Sequence, residues 1–158
     1  MRIRLNKKGF TLIELLIVVA IIGIIAAIAI PNLLNAIQRG KQKRTMADMR
    51  AVGTAVEAYA VDQNRYPDSA SSVTVITDDV EPIYIKKVPT TDGWENAFDY
   101  VSAPAGSAQS YSIQSYGKNR TQEASCAAGS YKGITTNFNN DICFSQGSFT
   151  MFPEGIQQ

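Results

Sequence analysis

Hydrophobic and polar positions divide the chain into three regimes. Residues 1–9 are polar and basic. Phe10 to Ile30 is apolar, interrupted only by Thr11 and Glu14. Beyond Pro31 the apolar residues first recur at helical spacing and then, from Phe98, alternate with polar ones. At about 1.5 Å per residue the central run would reach roughly 30 Å as a helix, the thickness of a bilayer core. A secretory signal peptide would have a shorter apolar region ending at a small-residue cleavage site. This run is longer, rich in Ile and Val, and continues into a helical pattern. An ordinary membrane anchor would not carry Glu14, because an acid inside the hydrocarbon is costly.

From Asn32 to Asn64 the pattern predicts helix again. Met49, Val52, Val56 and Tyr59 form an apolar stripe on one face, and Ala47, Ala51, Ala55 and Ala58 add helix propensity. Pro31, Gly23, Gly40 and Gly53 mark places where so long a helix could bend or melt. Pro67 disfavours helical geometry in Tyr66, so the helix ends by that residue. One helix of some fifty residues therefore runs from an apolar half into an amphipathic half.

Residues 68–97 are mixed, with a loop-like start, a weak element at Val73–Ile76, and Pro82 and Pro89 as punctuation. Thr91-Asp92-Gly93 predicts a turn leading into Trp94. Phe98–Val101, Tyr111–Tyr116, Ile142–Ser145 and Ser148–Phe152 read as half-buried strands, the last two flanking a Gln146-Gly147 hairpin turn. Four such strands with short links predict an antiparallel sheet, which the stripe of residues 49–59 would cover. The fold class is α+β. Between strands lies a polar excursion, residues 117–141, of a length that is usually functional or stapled.

Charge and composition narrow the function. The formal charge is +1, but Arg2, Arg4, Lys7 and Lys8 carry the excess; the remainder has eleven basic residues against fourteen acids. That mildly acidic remainder argues against a nucleic-acid binder, which needs a basic face. The absence of histidine removes the commonest general base and zinc ligand. No nucleophile–base pair, carboxylate dyad or phosphate loop stands out, so the chain does not read as an enzyme. Basic residues flank the apolar run on both sides, since Arg39, Lys41, Lys43 and Arg44 follow it. The leader charges lie nearer and mildly favour a cytoplasmic N-terminus. Two cysteines, Cys126 and Cys143, are either a disulfide, as an even count in an exported domain suggests, or two separate buried thiols. A bond between them would close the excursion and contribute roughly 3 kcal/mol.

Lys8-Gly9-Phe10-Thr11-Leu12-Ile13-Glu14-Leu15-Leu16-Ile17-Val18-Val19-Ala20-Ile21-Ile22-Gly23, continuing to Pro31, resembles the class III signal of type IV pilins and type II secretion pseudopilins. The resemblance implies the type IV pilin-like fold, cleavage between Gly9 and Phe10 by a membrane aspartyl peptidase, N-methylation of Phe10, and an apolar helix kept for the filament core. It divides the chain into a leader (1–9), a membrane and filament-core half-helix (10–31), an amphipathic half-helix (32–66) and a head (67–158). Cleavage would expose an amine at Phe10, and a free α-amine ordinarily titrates near about 8. Glu14 could then meet the amine of a neighbour in a staggered stack, a head-to-tail contact that propagates and spares both charges the cost of standing alone in a low dielectric.

The head adds a weaker resemblance. Tyr84 to Pro89, Asp92-Gly93-Trp94, Phe98-Asp99-Tyr100, Tyr111-Ser112-Ile113, Ser115-Tyr116-Gly117 and Asn140-Asp141-Ile142 are similar to the pseudopilin head pattern. Major pseudopilins hold calcium after that Ser-x-Gly turn. Calcium needs six to eight oxygens, and here Lys118-Asn119-Arg120 stands where an Asp-Gly would be expected, leaving Asp141. The cysteine pair instead resembles the disulfide loop of type IV pilins, and the implied reading is a staple in place of the ion, with no cofactor; the alternative is a calcium loop near Asp141. Asn119-Arg120-Thr121 fits a glycosylation acceptor, a short motif common by chance. Arg39–Arg44 is a solvated helix face or a contact for anionic lipid or an acidic neighbouring head. Trp94 and the tyrosines read as core aromatics.

The expected protein is a structural prepilin in the inner membrane with a periplasmic head. Its partners would be further copies of itself, the peptidase and N-methyltransferase, an ATP-driven assembly platform, and lipid, with no nucleic acid. Pilus and secretion pseudopilus both remain open, and the alternative is a membrane-anchored monomeric periplasmic binding protein.

Overall fold

A computed structural model describes residues 9–69, 71–123, 125–126, 133–155 and 157. Of the leader expected over residues 1–9, only Gly9 falls among them, and part of the 117–141 excursion lies outside them. The chain divides into two compact units, Met1–Ala36 and Ile37–Gln158.

Helix α1 spans Leu12–Gln63, 52 residues, and continues through Pro31. It stops three residues before Tyr66, because Asn64 takes a left-handed φ of 55°, the conformation with which helices commonly end and which asparagine tolerates. In the first unit its side chains are almost all exposed, from Phe10 and Leu12 onward. In the second unit the stripe seen in sequence is buried: Met49, Val52 and Val56 are fully enclosed, with Ala55 and Tyr59 beside them. Each such burial removes apolar area from water and is worth about 1.5–3 kcal/mol for the larger side chains.

The helix covers a five-stranded sheet of order β1-β2-β4-β5-β3, with β1 Asp99–Ala103, β2 Ser110–Ser115, β3 Gly133–Thr135, β4 Ile142–Ser145 and β5 Ser148–Pro153. Alternation predicts four strands, all antiparallel. The fifth, β3, pairs parallel to β5 and lies inside the polar excursion. At three residues it is too short to show a period. Tyr100, Ile113 and Phe144 face α1 in one core that also takes Val73, Ile76, Val80, Val88 and Phe98. A register shift between Cys143 and Phe144 lets β5 serve two faces: Phe149 packs with that core, whereas Met151 packs with Cys126 and Cys143.

Gly53, a bend site by sequence, is a packing site. A Cβ there would stand 2.2 Å from Phe144 Cε1, so the missing side chain is what admits the ring against the helix. The weak element Val73–Ile76 is a 3-10 turn capped by Ser72, whose hydroxyl accepts from the Thr74 N–H (3.2 Å). It runs into a single helical turn, α2, Thr77–Val80. Tyr100 and Tyr111 are fully buried and stacked, with centroids 5.9 Å apart. Burial, above all other causes, pushes both hydroxyls well above the ordinary tyrosine range.

Candidate assembly site

The start of α1 is built on a reciprocal cap. The Thr11 N–H donates to Glu14 Oε2 (2.8 Å), the Thr11 hydroxyl donates to the same oxygen (2.7 Å), and the Glu14 N–H donates to Thr11 Oγ1 (3.3 Å). This is a capping box, in which two helix-terminal donors are satisfied by side chains three residues apart. The carboxylate also sits at the positive end of the helix dipole. Glu14 thus has a partner inside its own chain, which charge reasoning alone placed wholly in a neighbour; the Thr-x-x-Glu spacing was the signal that could have found it. Both bonds fall on Oε2, and among the described residues Oε1 accepts none. Gly9 and Phe10 precede the helix and are exposed, Phe10 at 84 %, so the bond between them is accessible.

In the second unit, the Asp-Gly-Trp turn is a latch between the sheet and α1. Asp92 is 1 % exposed. Its Oδ1 accepts from the Trp94 N–H (2.8 Å) and the Asn96 N–H (2.9 Å); its Oδ2 accepts from the Ser115 hydroxyl (2.7 Å) and Asn96 Nδ2 (3.3 Å). Four donors replace the water the carboxylate gave up. The turn so fixed reaches the helix three times. Trp94 Nε1 donates to Gln38 Oε1 (2.7 Å) and the Gly93 N–H to Thr45 Oγ1 (2.9 Å). A Cβ on Gly93 would meet the Lys41 carbonyl oxygen at 2.4 Å, so only glycine allows the backbones this close. The sequence marked this stretch as a turn and a family pattern, with no hint of the hub formed with Ser115.

Cys126 and Cys143 are joined by a disulfide with Cα atoms 5.7 Å apart, inside the usual range. Asp141 is fully buried, and its Oδ2 accepts from Gln114 Nε2 and from the Glu123 N–H, both at 2.9 Å. It ties the loop to β2. Calcium takes six to eight oxygens, usually several carboxylates; Asp141 is one buried carboxylate already accepting from two amides, and the exposed turn at 118–120 carries Lys118 and Arg120. Among the described residues no group of three or more His, Cys, Asp or Glu could hold a metal. Asn119, of the possible acceptor motif, is exposed and donates to Glu123 Oε1 (2.9 Å).

A long apolar helix led by Gly-Phe and a capped glutamate, followed by an α+β head, defines a prepilin-type filament subunit. The description "Prokaryotic N-terminal methylation motif" matches residues 4–30, and "Type II secretion system (T2SS), protein G" matches residues 32–130. The chain belongs to the type II secretion system protein G family. It is a structural subunit of a polymer and not an enzyme. The type II secretion system core protein G of Aeromonas hydrophila is 32% identical over 107 residues, covering 61% of this chain and 74% of that protein. The type IV major pilin protein PilA of Myxococcus xanthus is 47% identical over 68 residues, 43% of this chain and 31% of that pilin. A crystal structure of the major pseudopilin from the type 2 secretion system of enterohaemorrhagic Escherichia coli aligns at a TM-score of 0.44 and 22% identity, over 60% of this chain and 89% of that one.

Proposed function

We propose that the chain is cut between Gly9 and Phe10 and methylated on the new Phe10 amine. The apolar half of α1 (residues 10–31) then anchors it in the inner membrane, with the amphipathic half (32–66) and the head (67–158) in the periplasm. An ATP-driven platform polymerises it into a type II secretion pseudopilus. The observation that carries this reading is the exposed apolar surface of α1 from Phe10 to Ile37, which water would not tolerate and which lipid or further copies of the helix would cover. A membrane aspartyl peptidase with methyltransferase activity would act on the exposed Gly9–Phe10 bond. Glu14 would keep its Thr11 bonds through Oε2 and offer Oε1 to the Phe10 amine of a neighbour.

Intact-mass measurement of the protein extracted from membranes tests this. The expected mass is that of a chain beginning at Phe10 with one added methyl. An N-terminus at Met1, or one downstream of Ile30, would overturn it. Deletion of the chain should impair secretion without removing native surface fibres; loss of surface fibres would instead favour a pilus.

A further inference from the structure

Within the unit Ile37–Gln158, charges of both signs meet at one small cavity. It has a volume of about 170 Å³ and lies between Arg39, Gln42 and Lys43 of α1 on one side and Pro153, Glu154 and Gln157 on the other. At about 100° per residue, Arg39 and Lys43 stand about 40° apart around the helix, while Lys41 and Arg44 point to other faces. Arg39, Lys43 and Glu154 are exposed. Among the described residues the ion pairs are Arg44–Asp48 and Arg65–Asp68. Two cations and one acid therefore line the same cavity without bridging it.

Beneath these charges the cavity is built from two buried amides. Gln42 is 3 % exposed and Gln157 5 %. Gln42 Nε2 donates to Gln157 Oε1 (3.3 Å), and Gln157 Nε2 donates to the carbonyls of Thr135 (2.8 Å) and Glu154 (3.0 Å). A side-chain amide has two N–H donors. Gln157 spends both, whereas Gln42 spends one and keeps one. The bonds of Gln157 also hold the segment that carries Glu154 against the end of β3. A ligand with only an anionic centre would suit Arg39 and Lys43 but meet Glu154, and one with only a cationic centre would meet two cations. A zwitterion with its two centres a few atoms apart satisfies all three charges. The position narrows the class further. Arg39 follows Ile37, the last exposed large apolar side chain of the run that begins at Phe10, by two residues, about 3 Å along the axis. The cavity thus stands at the polar edge of the surface that lipid would cover.

We propose that this cavity binds the headgroup of a phosphoethanolamine lipid. Arg39, Lys43 and the remaining Gln42 N–H take the phosphodiester oxygens, and Glu154 accepts from the ammonium. Both contacts are charge-assisted hydrogen bonds, the stronger kind. The inference rests on the membrane-anchored reading and deepens it by naming the lipid. Phosphatidylglycerol brings the phosphate but no cation for Glu154. Phosphatidylcholine brings a cation that has no N–H to donate. Each leaves Glu154 without the bond that the ethanolamine ammonium makes, and selectivity follows from that difference.

The test uses the full chain, extracted from membranes in detergent and mixed with phosphatidylethanolamine, phosphatidylglycerol or phosphatidylcholine of matched acyl chains. Native mass spectrometry counts the lipid retained. Wild type should retain phosphatidylethanolamine about fivefold over either of the others. Arg39→Gln with Lys43→Gln should lower that retention about tenfold, whereas Arg44→Gln, which removes a charge from another face, should leave it unchanged. Glu154→Gln should bring phosphatidylethanolamine down to the level of phosphatidylglycerol. Soluble phosphoethanolamine should displace the lipid, and inorganic phosphate at the same concentration should not. The wild-type comparison decides without any variant: equal retention of the three lipids would overturn the inference. So would tighter retention of phosphatidylglycerol, which would make the cations a general contact for anionic lipid, or displacement by inorganic phosphate, which would assign the cavity to a free anion. A wild-type chain recovered in the soluble fraction without detergent would bring down the membrane-anchored reading itself, and this inference with it.

Discussion

Asp92→Ala should be among the most damaging single changes to the head. The carboxylate is 1 % exposed and receives four hydrogen bonds. Truncation strands the Trp94 and Asn96 N–H groups and the Ser115 hydroxyl, while Asn96 Nδ2 keeps the Gly117 carbonyl at 2.8 Å. A buried donor left without a partner costs about 1–3 kcal/mol, so three cost roughly 3–9 kcal/mol before water enters the vacated space. We expect about 4 kcal/mol, a large part of the roughly 5–15 kcal/mol that holds a typical domain together. Asp92→Asn keeps one oxygen for the two backbone donors but turns an amide NH₂ towards Ser115 and Asn96, and should cost about half as much. Trp94 is the sole tryptophan and lies within the latch, so its fluorescence follows urea unfolding of the detergent-solubilised full chain directly. The native emission of Asp92→Ala should already shift to the red, because the bond to Gln38 loosens with the turn. A loss below about 1 kcal/mol in Asp92→Ala would refute the assignment of Asp92 as the hub.

Gly53→Ala gains up to about 1 kcal/mol of helix propensity but forces the Phe144 ring, held edge-on by Phe149 at 4.9 Å, out of a 2.2 Å overlap. Overpacking of this kind costs about 1–3 kcal/mol, and a fall in the urea midpoint is expected; a rise would contradict the close-approach reading. Cys126→Ser with Cys143→Ser removes a crosslink between residues 17 apart and should cost about 3 kcal/mol, read as a lowered midpoint that matches the wild-type chain under reducing conditions. Tyr100 and Tyr111 have raised folded values against about 10 when unfolded. Their contribution is therefore fully present below about pH 10 and is lost as pH climbs beyond it. The midpoint should drop between pH 9 and 11, and less steeply in Tyr111→Phe; identical slopes would count against burial of the hydroxyl. Glu14→Ala should abolish filaments or leave them defective while the protein still reaches the membrane, whereas normal filaments would remove Glu14 from assembly.

How much of this fold is legible in the chain depends on whether an element announces itself by period. The 49–59 stripe buries one face of α1, and the strands alternate apolar with polar residues even where, as in β2 and β4, both faces are buried, so their spacing carries the message. Strand β3 does not, because three residues beginning at Gly133, with φ of +100°, complete no period and depend on β5 for their hydrogen bonds. The same limit applies to Gly53. Glycine in a helix reads as weakness until a partner is known, and the partner, Phe144, is far away in the chain. Asp92 is intermediate: Asp-Gly predicts the turn, but Ser115, which turns a local Asx motif into a tertiary hub, comes from another strand.

The beginning of α1 shows a motif whose letters serve two purposes. Thr11-x-x-Glu14 is a capping box by spacing, and the same glutamate stands at the head of an apolar surface that only lipid or another helix can cover. These demands do not compete for the same atom. Oε2 takes both Thr11 donors, which fixes the rotamer and leaves Oε1 with no bond of its own among the described residues. A carboxylate held this way has already given up much of its freedom, so under the proposed assembly less would be lost on accepting a neighbour's amine. The cap also fixes where α1 starts, immediately after the Gly9–Phe10 bond. Under the proposed cleavage, the new amine would stand one residue before Thr11, whose side chain and N–H are already committed to the cap.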